Sequence, residues 1–294
     1  MQLLPIALAM QSTIEEIRYA CGHDLSSHSF GSLYLWQEEM GLSILLKRDW
    51  FAVRCRWKGP NAWLFPCGCT KKTARFIASR VHKPDFRLCY MREKDVAFLQ
   101  REFPGWFQMK KDRDSSEYCY DQQEQRELPG GKFAKLRAKR NRFKRTHDNL
   151  RVEPLDAANL HRAKEIAAIW KHFHPKKPKV GFDDLGVMAK AFAHMEPLGL
   201  LGVLIQVDGI DVSFALGFPL SHNTFDLCLL KSARRETGLE LFLWEALLGM
   251  LPKQYCYINT EEDLGIQGLR EHKQELKPAF LQELWEGSVA LHAR

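Results

Sequence analysis

The side chains best suited to chemistry are concentrated in one stretch near the end of the sequence. In chain order they are Asn259, Glu261, Glu262, Asp263, Arg270 and Lys273. The first four come at or after the end of a predicted strand, Cys256–Asn259, and strand ends are where α/β-type sheets place ligand groups. Arg270 and Lys273 lie three residues apart on the predicted helix that follows, so they share a face. Acids followed by two cations suit binding of an ammonium group and a neighbouring carboxyl or phosphate. A structural role stays open, in which Asp263 caps the helix and Arg270 pairs back to it.

A second candidate site is the turn Arg235–Glu240, which reads Arg-Glu-Thr-Gly-Leu-Glu and precedes a predicted helix. GNAT acyltransferases have an Arg/Gln-x-x-Gly-x-Gly/Ala stretch at this place, whose backbone N–H groups bind the pyrophosphate of acyl-CoA. Gly238 matches this pattern, but Glu240 replaces its last small residue and brings a negative charge near the phosphates. The resemblance implies acyl-CoA binding through Arg235 and Gly238. A simple helix-starting turn is the alternative.

The positive charge of the protein is concentrated in one segment. The 294 residues carry 43 Lys and Arg against 36 Asp and Glu, a net charge of +7. Residues 132–145 contain no acid and the following basic residues: Lys132, Lys135, Arg137, Lys139, Arg140, Arg142, Lys144 and Arg145. The segment predicts a helix whose like charges repel one another unless an anion is nearby. We therefore expect a phosphate-rich partner, either nucleic acid or an anionic lipid surface. A solvated helix is the alternative.

The composition is that of an ordinary globular chain. Hydrophobic residues make up 45% and charged residues 27%, which excludes wholesale disorder. No apolar run approaches the roughly 20 residues of a membrane helix. Met1–Met10 is short and lacks basic residues, which favours a first strand over a secretory signal. We therefore expect a cytoplasmic protein without a transmembrane segment.

The cysteines and histidines form no metal-binding pattern. Several of the eight cysteines lie in apolar runs, as Cys89 does, which is typical of small buried hydrophobic residues. Cys67-Gly-Cys69 resembles half of a metal site but has no CxxC partner, and His172-Phe-His174 lacks a third ligand. Disulfides are not expected without a secretion signal. We expect no metal and no permanently bound cofactor.

The first half of the sequence predicts an antiparallel meander followed by alternating helices and strands. Turn signals such as Lys58-Gly-Pro-Asn61 separate the strands, and Thr70 is expected to cap the next helix. The predicted strands are Leu42–Lys47, Trp50–Trp57, Ala62–Cys67, Phe86–Met91 and Tyr118–Tyr120, and the predicted helices are Thr13–Ala20, Phe30–Gln37, Thr70–Val81 and Glu93–Phe103.

The second half repeats this order of elements, with Asp208-Gly209 as a two-residue hairpin signal. The predicted strands are Leu150–Pro154, Leu200–Val207, Asp211–Phe218, Thr224–Leu230, Cys256–Asn259 and Leu276–Trp285, and the predicted helices are Ala157–Phe173, Asp183–Met195, Glu240–Met250 and Ile266–His272. This is the order of the GNAT acyltransferase fold. We therefore predict an α+β or α/β chain of two tandem GNAT-like domains, with mixed, mostly antiparallel sheets flanked by helices. A degenerate supporting domain is expected over residues 1–124, and a domain with the basic helix and the site over residues 125–294.

The run from Asn259 to Lys273 reads Asn-x-Glu-Glu-Asp-Leu-Gly-x-x-Gly-Leu-Arg-x-x-Lys. Weaker motifs are Ser29–Trp36, Tyr118-Cys-Tyr120, residues 128–143 with Gly131, Lys132, Arg137, Asn141 and Phe143, then Val207–Gly209, Phe214, Gly217, Lys231, Gly238 and Pro278. With these motifs the sequence resembles the C-terminal catalytic domain of phosphatidylglycerol lysyltransferase over almost the whole chain.

The resemblance implies a tandem GNAT fold that moves an aminoacyl group from charged tRNA to a lipid head group, with tRNA bound by residues 132–145. We infer in addition that the acidic cluster holds the ammonium of the amino acid and that Arg270 and Lys273 hold phosphate. The expected catalytic residues are Asp263, Arg270, Lys273, Asn259 and Lys231; the expected donor-binding residues are Arg235, Gly238, Lys132, Arg137, Lys139 and Arg140; the expected substrate-binding residues are Asp184, Glu261 and Glu262.

The chain departs from the family pattern at several positions. The usual His-x-Glu-Lys run before the Gly238 turn is Cys228-Leu-Leu-Lys231 here, which removes a candidate general base. Further substitutions are Trp244 for Asn, Thr260 for Arg, Glu275-Leu276 for Ser-Tyr and Asp184 for Glu. Lysyl transfer is therefore only one of several activities to consider.

The leading hypothesis is an acyl- or aminoacyltransferase, with charged tRNA as donor and acyl-CoA as the second candidate. The acceptor is an amine or hydroxyl on a small molecule, peptide or lipid head group. Backbone N–H groups of an opened strand would stabilise the oxyanion, without a covalent enzyme intermediate. The alternatives are a catalytically inactive GNAT-like module that binds RNA or another polyanion, and a peripheral protein on anionic membranes.

Overall fold

A computed structural model describes residues 2–173, 182 and 184–290 of the chain. Its elements divide between two compact units. Unit 1 comprises Met1–Glu117, Glu262–Gly265 and Leu281–Arg294, and unit 2 comprises Tyr118–Glu261 and Ile266–Phe280. Each unit is built on a seven-stranded sheet.

The elements of the first third of the chain are α1 (Gln11–Ala20), α2 (Phe30–Leu35), β1 (Leu42–Lys47), β2 (Trp50–Cys55), β3 (Ala62–Leu64), β4 (Cys67–Gly68), α3 (Thr70–Ala78), β5 (Arg87–Met91), α4 (Glu93–Glu102) and β6 (Phe107–Lys111). The elements that follow are β7 (Glu117–Asp121), α5 (Gln122–Glu127), α6 (Ala134–Thr146), β8 (Leu150–Pro154), α7 (Leu160–Phe173), α8 (Asp184–Ala193), β9 (Leu201–Val207), β10 (Ile210–Pro219), β11 (Thr224–Ser232), α9 (Leu239–Met250), β12 (Tyr257–Asn259), α10 (Gln267–Glu275), β13 (Phe280–Gln282) and β14 (Trp285–Val289).

The sheet of unit 1 has the order β1-β2-β3-β5-β14-β6, and β4 pairs with β2. Strands β3 and β5 are parallel, and β14 is antiparallel to both of its neighbours. Its core is aromatic: the Phe76 ring centroid of α3 lies 5.4 Å from that of Trp50 and 4.9 Å from that of Trp63. The Trp50 indole N–H donates to Thr73 Oγ1 at 2.9 Å, so this buried polar atom is satisfied.

Two histidines are buried together in unit 1. The ring centroids of His23 and His28 lie 3.9 Å apart, and His28 Nε2 lies 2.9 Å from the Phe65 carbonyl oxygen. Neither ring nitrogen of His23 has a hydrogen-bond partner in the described part of the chain. Burial lowers the pKa of both rings, that of His28 to about 3. Both rings are therefore neutral at neutral pH.

The sheet of unit 2 has the order β13-β7-β12-β11-β10-β9-β8. Strands β9 and β10 form the predicted hairpin, with Val207 opposite Ile210 and a left-handed backbone at both Asp208 (φ 53°) and Gly209 (φ 79°). This is the geometry that an Asp-Gly two-residue turn provides. Helix α7 packs on β10 and β11, and α9 packs on β9 and β10. The predicted class of mixed sheets flanked by helices is confirmed, and β8 to α10 follow the GNAT order.

Some local predictions are wrong at the start of the chain. Met1–Met10 is not a strand, because its described part makes one isolated bridge, Leu4 to Ile44, and a 3₁₀ turn at Leu8–Met10. Thr70 does not cap α3, because Cys69 is the N-cap and makes no side-chain hydrogen bond there.

The predicted strand Leu276–Trp285 is also wrong, because two short strands, β13 and β14, replace it. Lys277 has a left-handed φ of 61°, and Pro278 follows it without an N–H group to donate. The chain is therefore interrupted before β13. Strand β6 is missing from the prediction because Phe107–Lys111 is short and has only two apolar residues, Phe107 and Met109. His174 and Asp183, which the predictions include, lie outside the described residues.

In the part of the chain that the structure describes, no helix has the length and apolar character needed to cross a membrane. The same residues contain no group of three or more His, Cys, Asp or Glu side chains arranged to hold a metal ion.

Candidate functional site

Strand β11 loses its parallel neighbour halfway along its length. Strands β11 and β12 pair only where Thr224–Asp226 faces Tyr257–Asn259, whereas β11 continues along β10 to Ser232. Leu230 and Lys231, in the continuing part, are partly exposed. Among the described residues, β12 therefore leaves one side of β11 unpaired beyond Asp226. Backbone N–H groups on such a side are suitable donors for a carbonyl oxygen that develops negative charge.

A β-bulge lies in the same part of β11. Its residues Leu227 and Cys228 together oppose Gly217 of β10, where the register shifts by one residue. A Cβ on Gly217 would lie 2.0 Å from the Asp226 carbonyl oxygen, so only glycine fits. The pKa of the Cys228 thiol is raised well above its usual range, mainly by burial, and its Sγ lies 3.5 Å from the Leu216 carbonyl oxygen. Cys228 is therefore a protonated thiol and a poor nucleophile.

Asn259 holds the chain as it leaves β12. Its Oδ1 accepts the Glu261 N–H at 2.7 Å, and Glu261 adopts a left-handed φ of 59°. Strand β7 binds the same turn, since the Tyr118 N–H donates to the Glu261 carbonyl at 3.1 Å and the Thr260 N–H donates to the Tyr118 carbonyl at 3.0 Å. Asn259 is buried. Its side chain therefore fixes the backbone at the end of β12.

Lys273 reaches the same turn from α10. Its Nζ donates to the carbonyl oxygens of Thr260, at 2.5 Å, and Glu261, at 3.2 Å. The ammonium also lies 5.4 Å from the Tyr118 ring centroid, and Tyr120 Oη donates to the Lys273 carbonyl at 2.7 Å. Lys273 is 8% exposed. These contacts favour a positioning role for Lys273, and phosphate binding by it stays a prediction.

Two residues predicted from distant segments come together at the far end of β11. Lys231 Nζ donates to Asp184 Oδ2 of α8 at 2.7 Å and lies 3.9 Å from the Trp170 ring centroid of α7. The Lys231 and Asp184 side chains are 14% and 25% exposed. The cluster therefore combines both signs of charge with an aromatic face and remains accessible to a ligand.

Asp263 belongs to unit 1 and is completely buried. Its Oδ2 accepts from Arg113 Nη1 at 3.1 Å, and its Oδ1 accepts the Gly265 N–H at 2.9 Å. The N-cap of α10 is Ile266, so the expectation that Asp263 caps this helix is wrong. Arg113 pairs with it across 150 positions of sequence, and no local pattern signals such a partner.

Glu261, Glu262 and Arg270 are partly exposed. Glu262, in unit 1, accepts from Tyr90 Oη at 3.1 Å. Glu261 and Arg270 belong to unit 2, and Arg270 lies in the first half of α10. The contiguous acidic run is therefore divided, with Glu261 assigned to one unit and Glu262 and Asp263 to the other.

Gly238 is the left-handed N-cap of α9, with a φ of 95°. A Cβ on it would lie 2.4 Å from the Lys139 carbonyl oxygen and 2.7 Å from Phe143 Cβ. Helix α6 thus packs directly on the start of α9, and the glycine is required for this close approach. Arg235, three residues earlier, is exposed.

Glu240, the residue that departs from the acyl-CoA pattern, is paired. Its Oε1 lies 2.7 Å from His272 Nε2 of α10. This hydrogen bond to Glu240 raises the pKa of His272. The Glu240 carboxylate therefore lies in the first turn of α9, where a pyrophosphate would have to bind.

The basic helix α6 is partly neutralised by the protein itself. Four of the predicted donor-binding residues have intramolecular partners: Lys132 with Glu124 (2.8 Å), Lys139 with Glu275 (2.5 Å), Arg140 with the Arg126 carbonyl (2.9 Å), and Arg137 with the carbonyls of Leu128 and Gly130. Arg140 is 8% exposed, and Lys144 pairs with Glu245 at 3.1 Å. Residues 132–145 contain no acid, but carboxylates from other segments, those of Glu124, Glu245 and Glu275, supply the counter-charges.

Three other cations of α6 form what we call the basic face: Lys135, Arg142 and Arg145. All three are exposed, and no ion pair to them occurs within the described residues. The spacing of seven and three residues places them on one side of a helix. The buried residues Leu136 and Phe143 lie on the opposite side. This basic face is the part of α6 that is available to a polyanion.

The sequence analysis assigned no role at the site to three aromatic residues that contact it, Trp170, Tyr118 and Tyr120. Trp170 lies in a helix of ordinary amphipathic pattern, so nothing in its neighbourhood marks it. The tyrosines belong to a motif of the resemblance, and that was their only signal.

The sequence matches a known protein family over most of its length. The family described as "Phosphatidylglycerol lysyltransferase, C-terminal" matches residues 20–285. The chain belongs to this family. No curated protein matches the sequence.

Solved structures share the fold over nearly the whole chain. A conserved protein of unknown function from Bacteroides thetaiotaomicron VPI-5482 is 25% identical, with a TM-score of 0.88, over 98% of this chain and 99% of that one. The C-terminal domain of a candidate lysylphosphatidylglycerol synthetase from Agrobacterium fabrum is 15% identical, with a TM-score of 0.65, over 96% and 92%. L-PGS from Bacillus licheniformis is 14% identical, with a TM-score of 0.64, over 97% and 92%. The expected resemblance is thereby confirmed, and the tandem GNAT-like fold with it.

Proposed function

We propose that this chain is an aminoacyltransferase that moves an aminoacyl group from charged tRNA to an amine or hydroxyl acceptor. The observation that carries the proposal is the part of β11 beyond Asp226, which has no partner strand on its β12 side among the described residues and ends in the Lys231–Asp184 pair. The family, whose description names a lysyltransferase, supports the same class of reaction. The acceptor is a small molecule, a peptide or a lipid head group.

The transfer needs no oxidant, metal or covalent intermediate. The acceptor oxygen or nitrogen attacks the carbonyl carbon of the aminoacyl ester, and the bond from that carbon to the terminal oxygen of the tRNA breaks. The proton of the acceptor moves to the released tRNA hydroxyl. Backbone N–H groups along β11 would stabilise the tetrahedral oxyanion, a contribution worth about 10²–10³ in rate for one donor in other enzymes. Asp184 is the carboxylate best placed to bind the ammonium of the aminoacyl group, because it is partly exposed at the end of that strand.

The basic face supports tRNA as the donor. Lys135, Arg142 and Arg145 are exposed on one side of α6, and cations without carboxylate partners release counterions when they meet phosphate. Acyl-CoA is the second candidate donor. It is less favoured because the Glu240 carboxylate lies in the first turn of α9 and α6 packs on Gly238 at the same helix end.

The test is a transfer assay with the purified chain. Bulk tRNA is charged with one radiolabelled amino acid at a time and incubated with phosphatidylglycerol vesicles, short peptides or small amines, beside a parallel series with labelled acetyl-CoA. The proposal expects label to move from tRNA to an acceptor faster than the ester hydrolyses without protein. Transfer of label from acetyl-CoA but not from tRNA would identify acyl-CoA as the donor instead of charged tRNA.

The second candidate function is a non-catalytic module that binds RNA. Cys228 favours it, because a protonated thiol stands where the family usually has a histidine. Salt-sensitive tRNA binding without turnover of any acceptor in that assay would select this function over transfer.

A further inference from the structure

Two cysteines of unit 1 lie in contact although 46 positions separate them. Cys21 follows α1, and Cys67 begins β4. Their sulfur atoms are 3.1 Å apart. This distance is shorter than the van der Waals separation of two sulfur atoms that share no hydrogen bond. Cys67 is 1% exposed, whereas Cys21 is partly exposed. Only Cys21 of the pair is therefore accessible to a reagent in solution.

The surroundings favour a thiolate at Cys21. Its pKa is lowered to about 6, first by the hydrogen bond from Cys67 and then by the Gly68 N–H and the charges of Arg92 and Lys94. The same hydrogen bond raises the pKa of Cys67, which makes Cys67 the donor. The positive charge of Arg92 is shared with Asp95, whose carboxylate lies 2.9 Å away. A partly exposed thiolate next to a thiol is the arrangement of reactive, disulfide-forming cysteines.

The end of α1 is fixed, so the Cys21 sulfur has a defined position. The Arg18 side chain, which is completely buried, donates to the His23 carbonyl at 2.8 Å and pairs with Glu15. The other Glu15 oxygen accepts the Phe30 N–H at 2.6 Å. On the opposite side, Cys67 is held in the sheet of unit 1 by its register with Phe51 of β2. Neither sulfur depends on a mobile loop for its approach to the other.

We propose that Cys21 and Cys67 are a modification site that forms an intramolecular disulfide by exchange with a low-molecular-weight disulfide. The Cys21 thiolate attacks one sulfur of the small disulfide, forming a mixed disulfide and releasing one small thiolate. Cys67 then attacks Cys21 Sγ, its proton passes to the released thiolate, and the second small molecule leaves as a thiolate. One protein thiolate and one protein thiol are oxidised, and one small disulfide is reduced to one thiol and one thiolate, so electrons, protons and atoms balance. The inference is independent of the proposed transfer reaction.

The consequence is a covalent link from α1 to the sheet of unit 1. The closed loop contains β1, β2 and β3 together with α2. Cross-links of this loop length restrict the unfolded chain strongly. The oxidised protein is therefore expected to melt about 5 °C higher than the reduced protein.

The experiment titrates the full-length native chain with oxidised glutathione in glutathione buffers, blocks remaining thiols by alkylation, and maps disulfides by peptide mass spectrometry. The expected result is a Cys21–Cys67 peptide that is lost on reduction, with the melting temperature following its appearance. Cys67→Ser should stop at the glutathione adduct on Cys21, and Cys21→Ser should leave Cys67 unmodified. Cys256→Ser, which removes an exposed cysteine elsewhere, should change none of this.

A separate readout follows alkylation of Cys21 in the wild-type chain against pH, because a substituted chain could fail to fold. Reactivity of Cys21 with a midpoint near pH 6 supports the thiolate. After correction for the lower nucleophilicity of a less basic thiolate, Cys21 should react about 2–3-fold faster at pH 7 than the thiol of a short unstructured cysteine peptide, whose pKa is about 8.5. Absence of the Cys21–Cys67 peptide in folded wild-type protein under fully oxidising glutathione would overturn the proposal.

Discussion

The ammonium of Lys231 lies 2.7 Å from the carboxylate of Asp184, although 47 positions separate the two residues. The Lys231 ammonium lies 3.9 Å from the Trp170 ring centroid, and both side chains of the pair are partly exposed. If the pair binds the aminoacyl group, Asp184→Asn should lower the transfer rate at least about 10-fold, because the neutral amide binds an ammonium poorly. The free energy of unfolding should fall by only about 1 kcal/mol, as for a partly solvated pair. Both values are measured on one preparation, by the transfer assay and by denaturant unfolding.

The matched control for this variant is Asp211→Asn. Asp211 pairs with Arg162 at 2.5 Å, also in unit 2 and with similar exposure. It should lose a comparable amount of stability without any loss of transfer. Equal transfer rates for the two variants would assign the Lys231–Asp184 pair a purely structural role.

The basic face predicts how tRNA binding responds to salt. Changing Lys135, Arg142 and Arg145 together to Ala should weaken binding and reduce the slope of log K against log salt by about 2–3, because each phosphate contact contributes about 0.9. The control changes Lys132, just before α6, and Lys144, on α6, which already have carboxylate partners. It should reduce the slope by less than about 1. Filter binding over a series of salt concentrations measures both, and identical slopes would exclude the basic face as the RNA surface.

Replacement of Gly238 by alanine, which adds only a methyl group, is expected to destabilise the protein strongly. Gly238→Ala places a Cβ 2.4 Å from the Lys139 carbonyl oxygen at a left-handed backbone position, so α6 and α9 must separate. We expect a loss of about 2–4 kcal/mol in the free energy of unfolding. Gly249, inside α9, has no heavy atom within 4 Å of an added Cβ, and Gly249→Ala should stabilise the protein by about 0.5–1 kcal/mol. Thermal unfolding of the two variants tests the contrast, and equal shifts would contradict it.

The buried histidines predict a loss of stability in acid. His23 and His28 have pKa values lowered by burial, that of His28 to about 3. Below pH 6.5 the unfolded chain binds protons at these rings and the folded chain does not. Stability should therefore fall with decreasing pH, by about 1.4 kcal/mol per pH unit for each histidine. Denaturant unfolding between pH 7 and pH 5 measures this slope.

His23→Leu isolates the contribution of one ring. The His23 nitrogens make no hydrogen bond among the described residues, so leucine removes no partner. The variant should be at least as stable as the wild type near pH 7 and should lose less stability on acidification. An unchanged pH slope would show that His23 is protonated in the folded chain.

Local sequence patterns were sufficient for most helices and strands. The bounds of β1 and β8 match the predicted Leu42–Lys47 and Leu150–Pro154, and the Asp208-Gly209 hairpin is present. Alternation of apolar residues and turn chemistry act within a few positions, so they can be read directly from the chain. Strand β6 is stabilised instead by pairing with β14, more than 170 positions away, and no local signal reports that.

The candidate site was predicted by residue type but not by arrangement. Lys231 and Asp184 were both named, but only the packing of α7 and α8 beside β11 brings them together. Asp263 was expected to act in catalysis or to cap a helix, and its arginine partner, Arg113, comes from 150 positions earlier. The charge of α6 was evident, but its division into paired and unpaired cations depends on carboxylates supplied by other elements. Periodicity and spacing are local patterns, so they do not predict which charged residues pair when they are far apart in the sequence.

The position of β14 has a consequence for synthesis of the protein on the ribosome. This strand lies between β5 and β6 in the sheet of unit 1, yet it comes last in chain order among the described strands. The sheet of unit 1 therefore has a gap until residue 289 has left the exit tunnel. Until then, the pairing edges of β5 and β6 remain open to other chains. Most of unit 1 is thus synthesised first, but its sheet is completed only after the strands of unit 2 have been made.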